Sequence, residues 1–176
     1  VMKGVKELKT FGETGFHCLA AAKVADRYPR EAFASGLRIL GEGQLSLTKF
    51  LILTDGDVDI TDFGALWTHC LERVHWDRDL FIFANVSQDT LDYTGPSVNK
   101  GSKAMIMGLG KEKQRDLPTT FSGDLPAGCK HPKVFLPGTL VVQGRSYRED
   151  EELAKKIATT ESLADWPVIL LVDSTT

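Results

Sequence analysis

Four carboxylates follow an apolar run in "KFLILTDGDVDITDF", residues 49–63: Asp55, Asp57, Asp59 and Asp62. The D-x-D-x-D start is that of a calcium loop, in which alternate side-chain oxygens converge on one hard cation. Such a loop also needs Gly at its sixth position, for a sharp turn, and Glu at its twelfth, as a bidentate ligand. Those places hold Ile60 and Leu66. The calcium reading fails, and the aspartates read as the polar carboxyl end of a strand leading into a capped helix. That end of an open α/β sheet is also where ligands bind, so a functional role stays open.

Other constellations fall short in the same way. "GPSVNKGSK" (Gly95 to Lys103) has five residues between its glycines, where a phosphate loop needs four for successive N–H groups to cradle the anion. "GLGKEK" (Gly108 to Lys113) is further from the pattern, and both read as Gly-rich turns. His17, His69, His75 and His131 lack ligand spacing, and Cys129 with His131 has no second pair to complete a zinc site. There is no G-x-S-x-G and no Cys/His set with a third orienting group. Glu149 to Glu152, with Lys155 and Lys156 one turn on, form a solvated helix face with i,i+4 pairs. The residues by themselves present no self-sufficient catalytic set.

The elements that would position these groups are legible. A chain of 176 residues, 42% hydrophobic and 26% charged, suits one soluble α/β domain over residues 1–176. A net charge of −3 argues against nucleic acid, whose phosphates demand a basic face. No apolar run spans a bilayer and no signal peptide is visible, so a cytoplasmic protein with reduced Cys18, Cys70 and Cys129 is expected. Strands are expected at 15–24, 50–54 and 80–86. A helix near 29–41 carries Phe33, Leu37 and Leu40, with Pro29 at its start and Gly41 at its stop. A second carries Phe63, Leu66, Trp67, Cys70, Leu71 and Val74 on one stripe, capped by Thr61 or Asp62. Strand–helix alternation predicts an α/β, mainly parallel sheet with flanking helices, a Rossmann-like three-layer arrangement. A long Gly/Pro-rich excursion follows over 94–147, holding a strand at "GTLVVQG", then a helix in "REDEELAKKIATT" and a strand at 168–172. The tail "WPVILLVDSTT" ends on a buried strand, and the chain is expected to be cut from something longer.

Several motifs together resemble the C-terminal domain of the UbiD family of decarboxylases. They are "ETGFHCLA" (13–20), "RYP" (27–29), "GQLSLTKFLILTDGDVDITDFGALW" (43–67), Arg73, Asp79, "LDYTGP" (91–96) and "GSK" (101–103). The likeness runs from about Val5 to Lys103; the segment from Ala104 to Tyr147 is more similar to a menaquinone-route branch. It implies non-oxidative decarboxylation of aromatic or α,β-unsaturated acids, within ubiquinone or menaquinone biosynthesis. It also implies prenylated FMN, a divalent metal (usually manganese) and potassium, all held by an N-terminal flavin-binding domain absent from this sequence. This piece would then be a substrate-covering and dimerisation domain, inactive alone and part of a homo-oligomer. By the same resemblance Val86 and Gln88 line the substrate pocket, and Lys6 contacts a flavin phosphate. Gln88 stands where the family often has an apolar residue, implying a more polar acid. No residue is carried over as a metal ligand or catalytic group. The rival expectation is a free-standing α/β oligomerisation or small-ligand module; a self-contained hydrolase ranks third.

Overall fold

The computed structural model describes residues 4–15, 18–93 and 95–173, so His17 lies outside the described residues. The chain divides into two compact units, Val1–Arg115 and Asp116–Thr176.

The first unit holds strands β1 (Val5–Thr10), β2 (Leu19–Val24), β3 (Phe50–Thr54), β4 (Leu80–Ser87) and β5 (Lys100–Gly108), in the order β1-β2-β3-β5-β4. Helices α1 (Glu31–Gly41), α2 (Phe63–Leu71) and α3 (Trp76–Asp79) connect them. The β2–β3 and β3–β5 pairs are parallel, whereas β1–β2 and β4–β5 are antiparallel. The sheet is therefore mixed, and the mainly parallel expectation is corrected. The reason lies in the connection from β4 to β5, whose described residues, 88–93 and 95–99, form no helix. Nothing carries the chain back across a sheet face, so the second strand returns antiparallel. The expected strand at 80–86 forms, but as an edge, with Ile82 67% exposed and Phe81 and Phe83 turned inward.

Small residues explain how both faces of the centre are covered. Ala20 and Ala22 of β2 face Ile39 and Leu40 of α1, while Ala21 faces Leu66 and Cys70 of α2. With only methyl groups on the strand, helices can close from both sides; the alanines that blurred the strand pattern are what permit the packing. In α1 the expected Leu40 is buried and Phe33 packs against the core, but the buried face runs through Ala32, Ser35, Gly36 and Ile39, so Leu37 is exposed. The helix begins at Glu31, after Arg30 at φ 70°, rather than at Pro29. The expected α2 stripe forms, with Phe63 and Trp67 stacked at 6.0 Å between centroids.

The second unit is a three-stranded sheet in the order β6 (Cys129–Leu136), β7 (Thr139–Gly144), β8 (Val168–Val172). β6 and β7 are antiparallel; α4 (Leu153–Ala158) lies on the connection that brings β8 parallel to β7. Leu140, Val142, Leu153, Ile157, Leu163 and Trp166 form its core. Much of the expected excursion is thus β-structure: β5 completes the first sheet, and β6 and β7 begin the second.

All three cysteines are free, and only Cys70 is fully buried. Burial, then the Asp79 carboxylate, pushes the Cys70 thiol up to about 12 from an ordinary 9.0. Between those values the unfolded chain releases a proton that the folded chain keeps, so this contribution to stability is present below pH 9.0 and lost as pH rises toward about 12. In a thiol-reagent titration at neutral pH, Cys18 and Cys129 should react in the native protein and Cys70 only on unfolding. Equal rates for all three would contradict the burial.

Candidate functional site

Three of the four aspartates in the opening cluster accept hydrogen bonds, two of them from their own segment and one from the segment after β5. Asp55 Oδ1 accepts from Gly110 N–H at 2.9 Å, tying the segment after β5 to the end of β3. Asp59 accepts from the Thr61 N–H and hydroxyl at 2.8 and 2.7 Å, and these bonds hold its carboxyl below the usual range. Asp62 caps α2 by accepting from Ala65 N–H at 3.0 Å. Ile60, at the place where a calcium loop needs Gly, is 2% exposed and part of the core. Among the described residues no group of three or more His, Cys, Asp or Glu is placed to hold a metal ion.

The Asp55 bond belongs to a network at the carboxyl ends of the parallel strands. Arg73 Nε donates to Gly110 O at 3.0 Å, and Lys113 Nζ lies 2.5 Å from Glu72 Oε1. His69 lies against Gly56, where a Cβ would strike its imidazole, and its Nε2 is buried without a partner. Burial, then Arg73, depresses the basicity of His69, so the ring is neutral near pH 7. Beside this network Asp26, Pro29, Arg30, Arg78, Asp79, Leu109 and Gly110 line a crevice of about 490 Å³. Its charges are mutually engaged: Arg30 meets Asp79 at 2.6 Å and donates to Arg78 O, and Asp79 accepts from His75 N–H.

The second polar region lies at the amino end of β5. Val86 of β4 sits opposite Gly101 and is half-buried. Gln88 is 1% exposed, its Nε2 donates to Ser102 O at 2.7 Å, and its Oε1 is buried without a partner. Its side chain crosses at Gly101, where a Cβ would come 2.6 Å from Gln88 Cγ. Gln88 N–H donates to Asn99 O while Asn99 Nδ2 donates back to Gln88 O, closing the base of the loop. Lys49 and Asp92 meet at 2.6 Å, with the Asp92 side chain 4% exposed. Lys103 is buried and donates to the carbonyls of Ser46 and Thr48. Desolvation alone lowers its basicity. The near-miss phosphate loop is a tight turn closed on itself, with Lys100 N–H donating to Ser97 O.

The sheet order separates the expected site residues. Lys6 is exposed on β1, beside a register shift, near the carboxyl end of β2. Val86 and Gln88 lie at the opposite edge and near the opposite strand end, four strand spacings or about 19 Å away. Val86 and Gln88 are brought together; Lys6 does not join them. Lys49, Asp92 and Lys103 were missed by sequence reading. The available signal was Lys103 itself, a charged residue heading the apolar run "KAMIMG".

Comparison with known proteins gives these elements a context. Residues 1–108 match the family described as the 3-octaprenyl-4-hydroxybenzoate carboxy-lyase C-terminal domain. A Chlamydia pneumoniae protein, named as a subunit of 4-hydroxybenzoate decarboxylase, is 47% identical over 99% of this chain. An uncharacterised Chlamydia trachomatis protein is also 47% identical, over 98%. The chain spans only 29% of the length of each of these relatives. In fold it is similar to vanillic acid decarboxylase from Sedimentibacter hydroxybenzoicus in its closed form, with TM-score 0.56 and 19% identity. That match covers 89% of this chain and 29% of the other. The UbiD-class enzyme HmfF from Pelotomaculum thermopropionicum, in complex with FMN, also gives TM-score 0.56, at 18% identity over 71% of this chain and 27% of that one.

Proposed function

Because this chain belongs to the 3-octaprenyl-4-hydroxybenzoate carboxy-lyase (UbiD) family, by way of that family's C-terminal domain, we propose that it is one part of a longer non-oxidative decarboxylase. The carrying observation is the family match over residues 1–108, nearly all of the first unit, supported by the 47% identical relative named for 4-hydroxybenzoate decarboxylase. The substrate in this reading is an aromatic or α,β-unsaturated acid, on a quinone-biosynthetic route in the cytoplasm.

The resemblance places the flavin site in the domain that precedes this one, and the groups of this chain nearest to a phosphate-binding pattern are otherwise engaged. Lys103 is engaged by main-chain carbonyls, and within the Gly95–Lys103 turn the Lys100 N–H already donates to Ser97 O. We therefore assign prenylated FMN, with manganese and potassium, to the N-terminal flavin-binding domain of the longer protein. There the cofactor would supply the electron sink, and the protein position and proton transfer. This chain's part is to cover the acid and to contribute to a homo-oligomer. The pair of bonds between Gln88 and Asn99, which ties the base of the connection to β5, supports that role, because a surface that shapes a pocket must be held in place. Val86 would line the pocket from the rim of β4. Gln88, being buried, would act by holding that rim against β5. Lys6 would reach a flavin phosphate only from the far edge of the sheet.

The test compares this chain with its full-length parent, each produced with a flavin prenyltransferase. Flavin absorbance and CO₂ release from a panel of aromatic acids are then measured. The expected result is that only the parent retains flavin and releases CO₂. Flavin and turnover in this chain alone would overturn the assignment of the cofactor. If neither protein is active, the likeness is one of fold, and a binding module becomes the reading to pursue.

A further inference from the structure

Residues 109–115 follow β5 and end the first unit. The hydrogen bonds that fasten residues 110–114 to the rest of that unit gather around His69. Gly110 N–H donates to Asp55 Oδ1 at 2.9 Å, one residue before Gly56. Arg73 Nε donates to Gly110 O at 3.0 Å, and Gln114 N–H donates to Glu72 O at 2.7 Å. Lys113 meets the Glu72 carboxylate, which also accepts from Arg73 Nη1 at 2.9 Å. Arg73 Nη1 in turn donates to His69 O, so the main chain of His69 is part of the fastening.

The His69 ring suits this place in one protonation state only. It occupies the space left by the missing side chain of Gly56, where a Cβ would come 2.4 Å from Cε1 and 2.7 Å from Nε2. Nε2 is buried and has no hydrogen-bond partner. A neutral imidazole tolerates this, because one of its nitrogens carries no proton; in the imidazolium both nitrogens are donors. The charges facing the ring are Arg73 and Glu72 from the turn that ends α2, Asp55 from the end of β3, and Lys113 from the fastened segment. Arg73 and Lys113 oppose a further positive charge. The two carboxylates are already engaged, Asp55 with Gly110 and Glu72 with Arg73 and Lys113.

We propose that His69 is an acid-operated latch on residues 109–115. The neutral ring fills the Gly56 seat and leaves Asp55 and Glu72 free to hold the segment. A protonated ring must either leave that seat or take one of those carboxylates, and each movement withdraws support from the bonds at Gly110, Lys113 and Gln114. The sign follows from burial. Unfolded, the ring takes up its proton near the ordinary 6.5; folded, burial and then Arg73 hold it lower. The stabilisation is therefore complete above pH 6.5 and is lost as pH falls through that value toward the folded midpoint. Leu109 and Gly110 also wall the crevice that contains Asp26 and Arg78, and the segment leads into the second unit at Asp116, so its release would alter both the crevice and the freedom of that connection. The latch is built from this chain alone and does not rest on the decarboxylase reading.

The experiment follows amide exchange and the His69 ring protons by NMR from about pH 7.5 to about pH 5, the range over which histidine titrates. Exchange rates are corrected for the intrinsic effect of pH. Protection at Gly110 and Gln114 should fall about tenfold, the scale of one buried donor left unsatisfied, while the amides of β3 stay protected. The midpoint of that fall should coincide with the His69 titration and lie below 6.5. His69→Phe keeps a ring in the seat with no proton to gain, and should hold the segment equally across the range. Gly56→Ala fills the seat, turns the ring toward water, and should return its midpoint toward 6.5 and flatten the loosening in acid. A wild-type His69 midpoint at or above 6.5 overturns the proposal. So does a loosening in acid that persists unchanged in His69→Phe, because Asp55 and Glu72, still present, would then be the titrating groups.

Discussion

Gly108→Val should be the most damaging single substitution in the first unit, lowering stability by about 3 kcal/mol, the upper end for overpacking a core. Gly108 closes β5, and a Cβ there would lie 2.5 Å from Cys70 Cα and 2.9 Å from Cys70 Cβ. The obstacle is the backbone of α2, so relief requires moving the helix off the sheet and away from Ile52 and Ile106. Gly36→Ala makes the contrast. Its new methyl meets the thioether of Met105 and a Leu53 methyl, the far ends of side chains, and alanine also favours the helix. Urea denaturation of both variants measures the difference. An equal loss would mean that the seat of α2 at Gly108 yields more readily than its geometry implies.

Asp79→Ala should cost about 2 kcal/mol, the scale set by unsatisfied donors and lost charge-assisted bonds. Asp79 is 7% exposed and serves three donors: Arg30 Nη1 at 2.6 Å, His75 N–H at 3.1 Å and Arg78 Nε at 3.3 Å. Arg30 is half exposed, so part of the ion pair is screened by water, and the larger share falls on the bond that starts α3. Arg30 also holds a left-handed backbone at φ 70° and stacks its guanidinium 5.4 Å from the Phe81 ring centroid. Loss of its carboxylate should therefore loosen the Asp26–Arg30 turn as well. Asp79→Asn, which keeps an acceptor for His75 N–H, should recover more than half of the loss. Hydrogen exchange at residues 75–81 separates the two. If asparagine is as damaging as alanine, the charge on Asp79 dominates and the helix-start argument is wrong.

Sequence alone determined the family likeness and the central elements. The apolar run 50–54 reads as a strand from its length, its freedom from charge and the Asp55 that follows at once, and Leu51 to Thr54 are buried. The stripe from Phe63 to Val74 could be only a helix with one covered face. The failure of the calcium pattern at Ile60 and Leu66 was equally legible, since ligand spacing is a property of the chain itself. Motifs with intact spacing reported membership in the decarboxylase family, because spacing survives where overall composition says nothing.

Tertiary structure decided what depends on which segments meet. Strand direction is not written in the pattern of β4 or β5; it follows from the helix-free connection between them, which makes the sheet mixed. Whether Lys103 is a phosphate-loop lysine or a buried donor depends on Ser46 and Thr48, more than fifty residues away. Lys6 and Gln88 were joined only by resemblance, and the strand order sets them at opposite edges. The run Val168–Val172 looks like any buried strand in sequence, and only the tertiary structure places it parallel to β7, at the end of the order β6-β7-β8 among the described residues. Local pattern encodes what each segment is, because periodicity and capping act within a few residues; neighbours, edges and free hydrogen-bonding groups arise only from long-range pairing.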